Sequence, residues 1–279
     1  MRKNVKYIRK IGIFLLVLLL IFIPIQTFAL VNVTGGYVGI NDYSKCTYGS
    51  RAGANYITEL DEILHVASAN PGITYSRSYS YTNSAAKKTT VMNANRVTLF
   101  AYAGHGLNYD ASKNALHFNQ PASGSAISHI NYRLEEKEPS INLYTTEISF
   151  PHKYVILYTC NQLVDGGSTT KKQNILKMMN GTRLMLGFAT TMYLDSREGR
   201  YFGSMLGEKT IANAYIIAAE RYQPQRSAGS TTIARVAGYR SAINDRLNSS
   251  YSYAPSYTSS PSSFDNLKSV SISCNGNKI

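Results

Sequence analysis

The strongest constraint in this sequence is a pair of short apolar runs, Leu99-Phe100-Ala101-Tyr102-Ala103 and Tyr154-Val155-Ile156-Leu157-Tyr158. Neither alternates with polar residues, which is the pattern of strands buried on both faces of a parallel sheet. The first run stops at Gly104-His105-Gly106 and the second at Thr159-Cys160-Asn161. A third run of the same character covers Arg183 to Phe188. Side by side and parallel, such strands share one carboxyl rim, where open α/β sheets place their crevices. The sequence therefore expects a histidine and a cysteine delivered to one cleft.

The remainder of the chain supplies strand and helix patterns around that centre. Val31 to Ile40 reads as a first strand. Ser50 is a candidate N-cap for an amphipathic helix carrying Ala54, Ile57, Leu60, Ile63, Leu64 and Ala67, which stops at Asn70-Pro71-Gly72. Ile73 to Tyr81 alternates as a half-exposed strand does. The segment from Asn108 to Ile148 reads as an elaborated loop containing a small hairpin. Helices are expected from Thr169 or Thr170 to Met179, over Arg197 to Leu206, over Ile211 to Arg221, and from Thr231 to Leu247. Val270 to Cys274 follows as an edge strand. This alternation predicts an α/β fold, a three-layer sandwich around a mainly parallel central sheet.

The first residues set the compartment. Arg2, Lys3, Lys6, Arg9 and Lys10 precede an apolar core from Ile11 to about Ile25, and Thr27-Phe28-Ala29 suits a signal peptidase. The expected organisation is a signal peptide over 1–29, an α/β domain over 30–248, and a Ser- and Tyr-rich extension over 249–279 packing on it. Cleavage after Ala29 leaves 24 of the 29 basic residues against 16 acidic ones, a charge of about +8. Lys and Arg are scattered without a dense tract, which argues against specific nucleic-acid binding and fits an anionic cell envelope. Three cysteines in an exported chain leave at least one unpaired. The economical arrangement bridges Cys46 to Cys274 and leaves Cys160 as the thiol. No CxxC or HExxH spacing is present, and His105, His117 and His129 are irregularly placed, so neither a metal nor another cofactor is expected.

A cysteine attacks as its thiolate, and histidine is its usual base near neutral pH. Here His105 is the candidate base and Cys160 the candidate nucleophile. The backbone amides of Gly106 and Cys160 are candidates for an oxyanion hole. Asp195 and Asp165 lie in loops at the same rim and are candidates for a specificity pocket recognising a basic side chain. Asp195, immediately before a helical run, also suits an N-cap.

The strands ending in His105-Gly106 and Thr159-Cys160, with the Leu184-Met185-Leu186-Gly187-Phe188 strand after them, resemble the caspase-like cysteine peptidases, the group containing gingipains, clostripain, legumain and separase. The resemblance runs from Val97 to Tyr222 and is nearest to an exported bacterial branch. It implies a caspase-hemoglobinase fold and a Cys/His dyad, with His105 as acid/base and Cys160 as nucleophile. The expectation is thus a secreted, monomeric cysteine endopeptidase whose partners are protein or peptide substrates and anionic envelope polymers. The alternative is a non-catalytic extracellular binding or structural module on the same fold.

Overall fold

The computed structural model describes residues 30–42, 53–87, 94–110, 113–117, 140–142, 150–164, 175, 178–179, 181–224, 231–254 and 267–274. In chain order the elements are β1 (Val31–Gly39), α1 (Gly53–Leu64), β2 (Ile73–Thr82), β3 (Leu99–Ala103), β4 (Gly106–Asp110), β5 (Lys113–His117), β6 (Ser140–Asn142), β7 (Tyr154–Tyr158), β8 (Leu184–Phe188), α2 (Ser196–Met205), α3 (Ile211–Tyr222), β9 (Thr232–Tyr239) and β10 (Leu267–Cys274). Seven strands form one sheet in the order β10-β9-β8-β7-β3-β1-β2. From β2 to β8 every neighbouring pair is parallel, whereas β9 runs antiparallel to both β8 and β10. The fold is α/β with a mainly parallel sheet, as the strand patterns require.

The three central strands β3, β7 and β8 are buried at every position, which explains their unbroken apolar runs. One face presents Ala101, Ile156, Tyr158 and Leu186 to Tyr56, Leu60, Phe202 and Tyr215 of the three helices. The other presents Phe100, Val155, Leu157 and Met185 to Phe150, Leu163, Leu116 and the helical residues Ile175 and Met178. The remainder of the helix expected to end at Met179 lies outside the described residues. The expected hairpin is present: β4 and β5 pair antiparallel, and β6 adds a third strand.

Helix α1 starts where β3 ends. The Asn41 side chain accepts from the Ala54 amide at 2.7 Å, capping the first turn. Ser50, the cap expected from the sequence, lies outside the described residues. A Cβ at Gly53 would collide with the Ala103 carbonyl, so only glycine permits this approach.

The helix expected over Thr231 to Leu247 is not formed. Residues 232–239 are strand β9, followed by a short 3-10 turn at Arg240–Ala242. The apolar residues Ile233, Val236 and Ala237 suit a helical face, but β-branched Thr232, Ile233 and Val236 also suit a pleat. Burial decides between the periods: Thr232, Ala234 and Val236 are buried while Ile233 and Arg235 are half-buried. A strand here also pairs the open edge of β8. The edge strand expected over Val270 to Cys274 is present as β10, Leu267–Cys274, at one end of the sheet.

Asp245 closes the end of the sheet opposite the strand tips. Its buried carboxylate receives Arg183 at 2.5 and 3.0 Å and the Tyr154 hydroxyl at 3.1 Å, and its carbonyl accepts from the Ile211 amide at 2.8 Å. Replacing Asp245 with Ala strands the Arg183 charge, and losing one partner of a buried pair costs about 3 to 5 kcal/mol. Urea denaturation should show a loss of that size; a loss below about 1 kcal/mol would contradict it.

Candidate functional site

Register brings the two strand tips together. On β3 and β7, which are adjacent and parallel, Ala103 lies opposite Tyr158. His105 and Cys160 each follow that pair by two residues, beyond the ends of neighbouring strands, whose backbones are about 4.8 Å apart. The last ladder bond runs from the Gly104 amide to the Tyr158 carbonyl at 3.3 Å, after which the Thr159 amide turns back to the Leu157 carbonyl at 2.9 Å. Gly106 then packs so closely on the Cys160 carbonyl and the Gln162 amide that a Cβ would collide with both. The Tyr102 hydroxyl donates to the His105 carbonyl at 3.1 Å, fixing the turn from below.

Cys160 sits on a tight turn, not in a disulfide, and half-buried. The next residue, Asn161, has φ +58°, a left-handed conformation that Asn tolerates better than most residues. Its amide donates to the Thr190 carbonyl at 3.0 Å, and the Leu163 amide donates to the Phe188 carbonyl at 3.0 Å, tying the turn to the end of β8. Gln162 Nε2 donates to the Cys160 carbonyl at 2.7 Å. The Met192 amide reaches the Cys160 sulfur at 3.4 Å, and the thiol reaches the Met192 carbonyl at 3.7 Å. The amide donor, at the shorter distance, favours the thiolate, the reactive form, whereas the carbonyl accepts only from the neutral thiol.

Asp195 is the N-cap of α2: it accepts from the Arg197 amide at 3.0 Å and pairs with the Arg197 guanidinium at 2.6 Å. Burial opposes its charge, but the hydrogen bonds and charge of Arg197 outweigh that and hold its carboxyl below the usual range. Its negative charge is thus already matched within the helix. Asp165, the other pocket candidate, lies outside the described residues, as do Cys46 and His129. Cys274 is buried, and burial is the main cause that pushes its thiol up to about 12. His152 lies away from the rim, accepting the Val97 amide at 3.3 Å and stacking on Phe100 at 4.6 Å. Burial, then the Arg96 charge, lowers it to about 4, so it is neutral and structural. Among the described residues no group of three or more His, Cys, Asp or Glu is arranged to hold a metal ion, and no helix is long and apolar enough to cross a membrane.

Sequence reasoning missed the polar cluster beneath Cys160. Tyr158, two residues before the cysteine, stacks on Tyr56 of α1 at 3.7 Å between ring centroids and donates its hydroxyl to Glu198 Oε2. Gln223, fully buried after α3, donates to the same oxygen at 2.6 Å. Glu198 is 1% exposed. Burial pushes it up to about 8, hydrogen bonds from Tyr158 and Gln223 pull it back in part, and the Asp195 charge adds to the rise. The one sequence signal was Tyr158 itself, whose hydroxyl on a buried strand requires a partner.

The family model described as Domain of unknown function (DUF6345) matches residues 38–267, and the chain belongs to that family. The match begins in β1, ends at the first residue of β10, and contains both strand tips. No curated protein matches the chain.

The raised Glu198 pKa makes stability depend on pH with a definite sign. The folded state keeps a proton up to about pH 8 that the unfolded carboxyl releases at its ordinary pKa of 4.5. Stability therefore falls as pH rises between those values, by at most about 1.4 kcal/mol per unit, and the penalty is absent below them. Between pH 7.5 and 8, above the range in which an unfolded His152 titrates, wild-type urea midpoints should fall with pH. The Glu198→Gln variant should flatten that slope; equal slopes would contradict the assignment.

Proposed function

We infer that this member of the DUF6345 family is an exported caspase-like cysteine endopeptidase, with Cys160 as nucleophile and His105 as acid and base. The observation that carries the reading is that His105 and Cys160 each lie two residues beyond the paired ends of adjacent parallel strands. Two further features support it. The Met192 amide is bonded to the sulfur, and the glycine after the histidine packs directly on the cysteine turn. The caspase-hemoglobinase architecture belongs to the same reading, supported by the mainly parallel sheet with one antiparallel strand, β9, near its end. Export rests on the basic and apolar character of residues 1–29.

The chemistry follows from these groups. His105 accepts the thiol proton, and the Cys160 thiolate attacks the carbonyl carbon of a peptide bond. Negative charge on the carbonyl oxygen is met by the amides of Gly106 and Cys160. The tetrahedral species collapses with cleavage of the C–N bond, and the departing amine takes the proton from His105. Water, deprotonated by His105, then attacks the thioester, releasing the carboxylic acid and restoring the thiol. The matched charge of Asp195 makes it a helix cap in this scheme, leaving recognition to other groups on the rim.

Casein hydrolysis by the full chain tests the reading. Cys160→Ala, His105→Ala and the double variant should all reduce it to background, with the double no worse than either single, because groups acting as a unit are non-additive. Each single variant should stay folded, losing less than about 2 kcal/mol, since neither truncates a large core side chain. Hydrolysis that survives in Cys160→Ala would move the chemistry elsewhere. Loss of folding in both would make the pair structural and favour the non-catalytic module.

A further inference from the structure

The Met192 amide can act on the Cys160 sulfur only if the segment carrying it is held in place, and the residues that hold it are all buried. Gln223 grips the next residue at both backbone groups: its Oε1 accepts from the Tyr193 amide at 2.9 Å, and its Nε2 donates to the Tyr193 carbonyl at 2.7 Å. The same Nε2 lies 2.6 Å from Glu198 Oε2 and 3.1 Å from the Tyr158 hydroxyl. The Tyr158 hydroxyl itself reaches the Tyr193 carbonyl at 3.3 Å. These contacts close a ring. It runs from Cys160 back along β7 to Tyr158, across to Gln223 and Glu198, out to Tyr193, and through Met192 to the Cys160 sulfur.

We propose that Gln223 is a positioning residue for the nucleophile: it clamps the Tyr193 peptide so that the Met192 amide stays on the Cys160 sulfur, with Tyr158 and Glu198 orienting its side chain. The proposal rests on the reading of Cys160 as the reactive thiol. Its physical basis is that a hydrogen bond to the charged form favours that form, and a donor fixed in advance does so without reorganisation. A buried amide side chain with donor and acceptor both used is held in a single orientation, which a solvated loop could not impose. The groups facing Glu198 are Tyr158 from β7, Tyr56 from α1, Tyr215 from α3, Gln223 just after it, Cys274 from β10, and Asp195 before its own helix. With Glu198 mostly protonated near neutral pH, the ring adds little negative charge beneath the sulfur, so it does not oppose the thiolate that Met192 favours.

Iodoacetamide alkylation of the full chain, quantified at the Cys160 peptide by mass spectrometry across pH, tests the proposal without a substrate. Gln223→Met keeps the side-chain volume and removes every hydrogen bond. It should slow alkylation at pH 7 about tenfold, move the alkylation midpoint up by about one pH unit, and leave the rate at pH 10 unchanged. Tyr158→Phe keeps the ring stack and should shift the midpoint in the same direction by less; it decides the matter if Gln223→Met does not fold. Asp245→Ala, destabilised at the opposite end of the sheet, should leave the curve in place, which separates positioning from loss of stability. A wild-type curve in folded Gln223→Met, or in Tyr158→Phe where the former is unfolded, overturns the proposal. His105→Ala in the same assay reports on the dyad: if it moves the curve while Gln223→Met does not, only the positioning role fails. If neither moves it, both readings fail.

Discussion

The in-register parallel pairing of β3 with β7 is the constraint on which the rest depends. Backbone hydrogen bonds between Leu99–Ala103 and Tyr154–Tyr158 set the level of everything beyond the strand ends. A slip of one residue would turn each strand's side chains to the opposite face, driving Tyr158 out of the helix-covered core and shifting His105 relative to Cys160. Burial on both faces makes such a slip prohibitive, because both side-chain sets are already packed. The precision of the rim is therefore a property of the core beneath it.

Below the rim, that core gives up some apolar packing for polar contacts. Tyr56, Tyr158, Glu198, Tyr215 and Gln223 lie among Phe188, Phe202 and the helix side chains, and Tyr56 Oη, Tyr215 Oη and Glu198 Oε1 are buried with no hydrogen-bond partner. Each such atom costs about 1 to 3 kcal/mol relative to a satisfied one. A core selected for stability alone would place aliphatic groups there. The polar residues instead link β7, α2 and α3 to the segment over the cysteine, so the expense falls where orientation matters.

Much of this was legible in the sequence. The central strands were, because double-sided burial leaves continuous apolar runs, and so were their ends, because Gly-His-Gly and Thr-Cys-Asn interrupt those runs abruptly. The cap role of Asp195 was weighed from its place before a helix. The strand at 232–239 was not legible: Ile233, Val236 and Ala237 are spaced as on a helix face, and pairing with β8 and β10 selects the pleat, whose buried face is Thr232, Ala234 and Val236. Glu198 and Gln223 were invisible for a different reason. A glutamate in a first helical turn ordinarily complements the helix dipole at the surface, and its burial here comes from α1, β7 and α3, which are distant in the chain. The burial of Cys274 in β10 was half legible, because an edge strand was expected over Val270 to Cys274.

The central claim is that the Cys160 sulfur and the His105 imidazole work on the same atom. The reagent 1,3-dibromoacetone tests this directly: a thiolate displaces one bromide, and a nitrogen within reach of the other end displaces the second. Peptide mapping of the treated full chain is predicted to yield a Cys160–His105 cross-link as the main product at neutral pH. Cys160 alkylated at one end only, or linked to another residue with His105 unmodified, would contradict the account.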